Sequence, residues 1–142
     1  MLARMRKSMD DKDQGFTLIE LLVVMIIIGI LAAIAIPIFL SQRAKAQDSA
    51  AKADVSTLGK EIATYWVDGV AAPAVTQAGG RYLLAGTDIG KSSTNVVLGT
   101  VNIVSDTKWC VDVTNLKGDK QTYKYSAKNG LAESACLPAD VT

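Results

Sequence analysis

The chain has 142 residues, with 15 Lys and Arg against 14 Asp and Glu, so its net charge of +1 offers no general attraction to nucleic acid or to an anionic surface. It contains no histidine, which removes the commonest general base and the commonest transition-metal ligand. Those bounds point away from an enzyme and toward a structural or binding role, in one small domain with extensions.

The chain opens on a short polar leader, residues 1–15, in which Arg4, Arg6, Lys7 and Lys12 stand against Asp10, Asp11 and Asp13. From Leu21 to Leu40 there follow 20 residues without a charge, about 30 Å of helix and enough to cross the hydrocarbon of a bilayer. A soluble protein could bury so apolar a helix, but a chain this short has too little other protein to cover it on every side. The basic leader keeps residues 1–15 cytoplasmic by the positive-inside tendency and sends the C-terminal part outward. Glu20 is the anomaly, since a carboxylate within a membrane-length helix costs about 2.5–3.5 kcal/mol on insertion scales. Either it snorkels to the interface from its place near the helix end, or it finds a cationic partner.

An ordinary secretory signal has an apolar region of about 7–15 residues that precedes its cleavage site. Here the order is reversed: the polar leader ends in Gly15-Phe16 and the apolar run comes after it. Gly15-Phe16-Thr17-Leu18-Ile19-Glu20, followed by Leu21-Leu22-Val23-Val24, closely resembles the processing site and N-terminal helix of type IV prepilins. The resemblance is specific because a glycine, a phenylalanine, a fifth-position glutamate, an interior glycine and a later proline occur together. It implies cleavage after Gly15 by a membrane prepilin peptidase and N-methylation of the new terminus at Phe16. It also implies that Glu20 lies near the Phe16 amine of an adjacent subunit. Such a pair attracts strongly in low-dielectric surroundings, and a wrong axial register would strand both charges. Gly29 and Pro37 cost a helix interior about 1 and about 3 kcal/mol relative to alanine. They mark a kink or, as the resemblance implies, a segment that loses helical structure on assembly.

Beyond Leu40 the composition changes. Over residues 41–69, Ala51, Val55, Leu58, Ile62 and Tyr65 form an amphipathic stripe, and Gly69 supplies a stop. A continuous helix from Phe16 to Asp68 would span about 80 Å, with a head packed on its second half only. Residues 69–94, rich in Gly, Ala, Thr and Ser, read as a loop-rich connector. Three strand runs follow, with Val97, Val101 and Ile103 on one face, then Trp109, Val111 and Val113, then Tyr123, Tyr125 and Ala127. Short links at Ser105–Thr107 and Leu116–Asp119 suit antiparallel neighbours, and Asn129-Gly130 signals a tight turn. The expected fold class is α+β: a long N-terminal helix whose first half, 16–40, spans a membrane, with a small antiparallel sheet of three or four strands in a head over 70–142.

A head of that size usually needs a staple. Cys110 and Cys136 are the two cysteines, and an exported location would let a bond between them persist, with free thiols or a redox pair as alternatives. The prepilin resemblance implies the disulfide, since a C-terminal one encloses the variable surface region in that family. Two other signals are weak. "GTDIGKS" at 86–92 has one residue too few between its glycines for a phosphate loop. Asp112 and Asp119 could suggest calcium, as in related secretion pseudopilins, but Lys117 and Lys120 flank that turn and repel a cation.

The reading is therefore a structural subunit of a type IV pilus, serving motility, adhesion or DNA uptake, that needs no cofactor or metal. The resemblance implies as partners other pilin subunits, a prepilin peptidase, an inner-membrane platform and an assembly ATPase. It implies a membrane-held precursor with its head outside and a surface filament after assembly. A type II secretion pseudopilin or DNA-uptake pilin is the nearest alternative. A monomeric single-span protein whose head binds a ligand or DNA is the alternative of a different class.

Overall fold

The computed structural model describes residues 15–142, and the chain divides between Phe39 and Leu40 into two units. Of the leader read over residues 1–15, all but Gly15 lies outside the described residues. A single helix, α1 (Leu18–Tyr65, 48 residues), supplies the described secondary structure of the first unit and the opening of the second. Valine and isoleucine crowd its first half, although both lose rotamer freedom in a helix. The segment is helical all the same, with its backbone hydrogen bonds made within the segment itself. The helix runs unbroken through Gly29 and Pro37, so neither position interrupts it in the single chain. It stops at Tyr65, three residues before the expected Asp68, and the Gly69 N–H donates to the Tyr65 carbonyl at 2.8 Å.

In the second unit the chain forms two antiparallel sheets. The first comprises β1 (Val75–Ala78), β2 (Arg81–Leu84) and β3 (Thr87–Lys91), paired in sequence order. The second comprises β4 (Val96–Ser105), β5 (Lys108–Asn115), β6 (Thr122–Ser126) and β7 (Gly130–Ala132), likewise in order. The four-stranded sheet is the one expected from the sequence, including the turn before Gly130. The three-stranded sheet corrects the loop-rich reading of residues 69–94. Its links are two-residue turns, Gly79-Gly80 and Ala85-Gly86, with φ positive at all four residues. That mirror-image turn geometry matches the right-handed twist of the flanking strands. Gln77 ties the sheets together with its side-chain amide: Nε2 donates to the Val96 carbonyl at 2.9 Å and Oε1 accepts from the Leu98 N–H at 2.8 Å.

The core lies between α1 and the sheets. Ala51, Val55, Leu58 and Ile62, all fully buried, pack in one cluster with Val111, Val113 and Tyr123 of the second sheet and Tyr82 and Leu84 of the first. Fully burying a side chain of this kind is worth about 1.5–3 kcal/mol. Gly59 lets the helix come close, since a Cβ there would run into the Tyr125 ring. Tyr65, at the end of the predicted stripe, is only half-buried.

Two strand faces differ from expectation. Val97 is exposed while Val96 is buried and Leu98 packs on the core; beyond a break in register between Leu98 and Val101, it is Val101 and Ile103 that pack inward. A bulge at Gly99-Thr100 shifts the alternation by one residue, and with a period of two that exchanges the faces. Ala127 lies past the end of β6 and is exposed.

Candidate functional site

The N-terminal end of α1 carries the first group of candidate residues. Thr17 is the residue before the helix, and its Oγ1 accepts the Glu20 N–H at 3.2 Å. In return, Glu20 Oε2 accepts both the Thr17 N–H and the Thr17 hydroxyl, each at 2.9 Å. This reciprocal pattern is a capping box, which satisfies donors that a helix start leaves without intrahelical partners. The sequence spells it as Thr-x-x-Glu before an apolar run, yet the sequence reading took Glu20 as a membrane anomaly and a pairing residue and did not note the cap. Glu20 Oε1 accepts no hydrogen bond among the described residues.

Around this box the surface is apolar and uncovered. Phe16 is 91 % exposed, and it lines a shallow groove with Ile19, Glu20, Leu21, Val23 and Val24. The large apolar residues from Leu18 to Leu40 are exposed throughout, and α1 is long and apolar enough to cross a membrane. Among the described residues, a Cβ placed on Gly15 or on Gly29 would meet no atom within 4 Å. The structure thus brings Thr17 and Glu20 together beside Phe16. Gly29 and Pro37 lie further along the same helix, and the cysteines belong to the other unit.

In the second unit Cys110 and Cys136 form a disulfide, with their Cα atoms 5.9 Å apart. It pins the C-terminal segment to β5, and further contacts hold that segment alongside. The Cys136 N–H donates to Asp112 Oδ2 at 2.8 Å, while Oδ1 of the same carboxylate accepts the Thr100 N–H at the bulge, also at 2.8 Å. Asp140, in the short 3-10 turn Pro138–Asp140, receives Lys124 Nζ on both oxygens at 2.8 and 2.7 Å and the Leu137 N–H at 2.7 Å. The buried ammonium and that N–H hold the Asp140 carboxyl below the usual carboxylate range.

Two more buried carboxylates come from α1. Asp54 accepts the Tyr82 hydroxyl at 2.9 Å and the Ser93 N–H and hydroxyl at 2.8 and 2.7 Å. Asp48 accepts the N–H groups of Asp119, Lys120 and Gln121, with distances from 3.0 to 3.2 Å. Burial alone would raise the Asp48 carboxyl, but these three N–H donors outweigh it and the net displacement is downward. Tyr123 is pushed up to about 12, first by burial and then by the Asp48 charge. Sequence reasoning missed Asp48 and Asp54, although a signal existed: both lie three residues from Ala51 on the buried face of α1. A carboxylate on a buried face must find donors.

The weaker signals resolve structurally. The stretch 86–92 runs through β3, so its backbone forms a strand and not the strand-to-helix loop that cradles phosphate. Both Asp112 oxygens are occupied by backbone N–H groups, and no cluster of three or more metal-capable side chains occurs among the described residues. The carboxylates in this head hold loops in place.

Comparison with known proteins follows this layout. Residues 10–36 match the family described as a prokaryotic N-terminal methylation motif. The chain is 34% identical over 127 residues to fimbrial protein EcpC of Eikenella corrodens, covering 87% of this chain and 81% of that one. It is 36% identical over 111 residues to the type IV major fimbrial protein FimA of Dichelobacter nodosus, covering 75% and 69%. It is also 38% identical over 66 residues to type II secretion system core protein G of Pseudomonas aeruginosa, a match that spans 46% of each chain and so under half of that relative's length. No solved structure matches the chain.

Proposed function

This chain belongs to the family of type IV pilins and fimbrial proteins, and we propose that it is the structural, non-catalytic subunit of a type IV pilus, polymerising through the first half of α1. The observation that carries this reading is the uncovered apolar face of residues 18–40 with one carboxylate at its start, Glu20, whose Oε1 has no partner within the described chain. A membrane covers that face in the precursor, and neighbouring copies cover it in a fibre. Oε2 caps the subunit's own helix, which leaves Oε1 for the Phe16 amine of the adjacent subunit. One carboxylate thereby serves both the fold of its own chain and the register of the next.

Processing precedes assembly in this account. A prepilin peptidase removes residues 1–15, and Phe16 is then N-methylated. The leader stays on the cytoplasmic side, the span occupies residues 16–40, and residues 41–142 lie outside, where an oxidising setting maintains Cys110–Cys136. An inner-membrane platform and an assembly ATPase drive subunit addition. The stretch from Gly29 to Pro37 is the part of α1 that loosens in the fibre. The likeness to a secretion-system core protein favours a secretion pseudopilin as the second reading. Shearing cells with and without the gene, followed by electron microscopy of the sheared fraction, tests the choice. A pilus subunit yields long fibres that vanish with the gene, whereas a pseudopilin leaves the sheared fraction empty at native expression.

A further inference from the structure

One basic cleft has no part in the assembly account. It is lined by Leu40, Arg43, Ala44 and Gln47 of α1, by Asn95, and by Lys117 of the turn between β5 and β6, and encloses about 410 Å³. Neither Arg43 nor Lys117 forms an ion pair among the described residues. Asp48, the nearest carboxylate on the helix, is already committed to the three N–H groups of that turn. The turn itself, Leu116–Gln121, carries Lys117 and Lys120 against one acid, Asp119.

The cleft's position follows from how the turn is held. Asn115 Nδ2 donates to the Gln47 carbonyl and side-chain oxygen at 3.2 and 2.9 Å, and Asp48 clamps Asp119–Gln121. These contacts fix the turn to α1 seven and eight residues after Leu40, about 11 Å along the axis, and the Lys117 side chain lines the same cleft as Leu40. Leu40 is the last residue of the uncharged run. The polar layer of a bilayer leaflet is about 5–8 Å thick, so a cleft that begins at Leu40 opens at headgroup depth. At the tip of the turn Leu116 is 74 % exposed, an apolar side chain next to Lys117 with no protein to cover it.

We propose that this cleft binds the phosphate of an anionic phospholipid in the leaflet that faces the head, with Arg43 and Lys117 on the phosphate and the amides of Gln47 and Asn95 beside it. The proposal rests on the reading of residues 18–40 as a membrane span. It gives the precursor a lipid-held head before assembly, released when the subunit leaves the membrane.

The test uses the full chain in nanodiscs of phosphatidylcholine in which phosphatidylglycerol replaces a rising fraction of the lipid. The readout is the nuclear magnetic resonance signals of the Arg43 Nε–H, the Gln47 and Asn95 side-chain amides, and the Leu116 and Lys117 backbone. These signals shift saturably with phosphatidylglycerol. Each basic residue near an anionic surface raises affinity about fivefold, so Arg43→Gln with Lys117→Gln raises the half-saturating fraction at least tenfold. Unchanged signals from Val111 and Val113 verify that this variant remains folded. Lys91→Gln, on β3, leaves the titration unaltered; if it weakens binding as much as the double variant, the effect is general charge and the site is refuted. Equal spectra in both lipids refute it as well. Inorganic phosphate added to pure phosphatidylcholine discs moves the signals little; saturation by millimolar phosphate would assign the cleft to a free anion instead. A chain that does not enter nanodiscs at all overturns the membrane-span reading itself, an outcome distinct from one that enters and ignores lipid charge.

Discussion

Glu20 carries opposing costs at different stages. In the lone precursor its charge is unfavourable in the bilayer, partly relieved by the Thr17 N–H and hydroxyl. If it pairs with the neighbouring Phe16 amine as proposed, its removal in the fibre would strand that positive terminus, and an uncompensated buried charge costs about 3–5 kcal/mol. Glu20→Ala is therefore expected to leave membrane levels and cleavage normal while filaments become few or absent, as read by immunoblotting of membrane and sheared fractions. Co-expression with the wild type should give sparse fibres containing some mutant subunit, because the mutant still offers its own Phe16 amine. Abundant fibres from the mutant alone would mean that Glu20 does not pair in this way. The Asp140–Lys124 pair sets a different test within the head. Asp140 and Asp48 both titrate below the ordinary carboxylate value of about 3.9. The stability they confer is complete above that value and is lost as the pH falls through their lower folded-state values. Near-ultraviolet circular dichroism in detergent should show the head's melting temperature flat from pH 5 to 7 and falling below about pH 4. Asp140→Ala leaves Lys124 buried without a partner and should cost about 3–5 kcal/mol at neutral pH. A melting temperature within a degree of wild type would contradict the buried pair.

Among the elements, the cysteine staple and the helix–sheet contact give the sharpest expectations. Replacing both Cys110 and Cys136 by serine opens a loop with a sequence separation of 26 and should lower head stability by about 3–4 kcal/mol in denaturant titration. Gly59→Val would drive a side chain into the Tyr125 ring and should destabilise the head by about 1–3 kcal/mol, more than the few tenths of a kcal/mol that helix propensity alone would return. A neutral or stabilised variant would mean that α1 can move off the sheet at no cost. How far each element could be read in advance follows from its pattern. The helix stripe Ala51-Val55-Leu58-Ile62 and the four-stranded sheet were legible because period and burial agree along them. The first sheet was not, since β1 and β2 are four residues each and their composition resembles a loop; only Gly79-Gly80 announced a hairpin. The face of β4 was misassigned because a bulge depends on Asp112 across the sheet, a contact that no local pattern encodes. At the N-terminus, Glu20 was conspicuous while Thr17 was overlooked, although the two together make the helix start.

For the molecule as a whole, the proposed filament subunit combines a processed terminus with an exposed apolar helix and a clamped head. Gly15→Val should block processing, so that precursor accumulates in the membrane and no filaments form. Gly15 lies before α1 and outside the core cluster of the head, so the head of the variant should melt as wild type does, and its defect should lie in cleavage. The central claim is that this chain is cut before Phe16 and then built into a surface fibre. Its most direct test is mass spectrometry of the subunit's terminus in sheared surface filaments. The account predicts a chain that begins at N-methylated Phe16 and retains the Cys110–Cys136 bond. Surface fibres whose subunits begin at Met1, or a chain found wholly in the membrane fraction with no fibres, would contradict it.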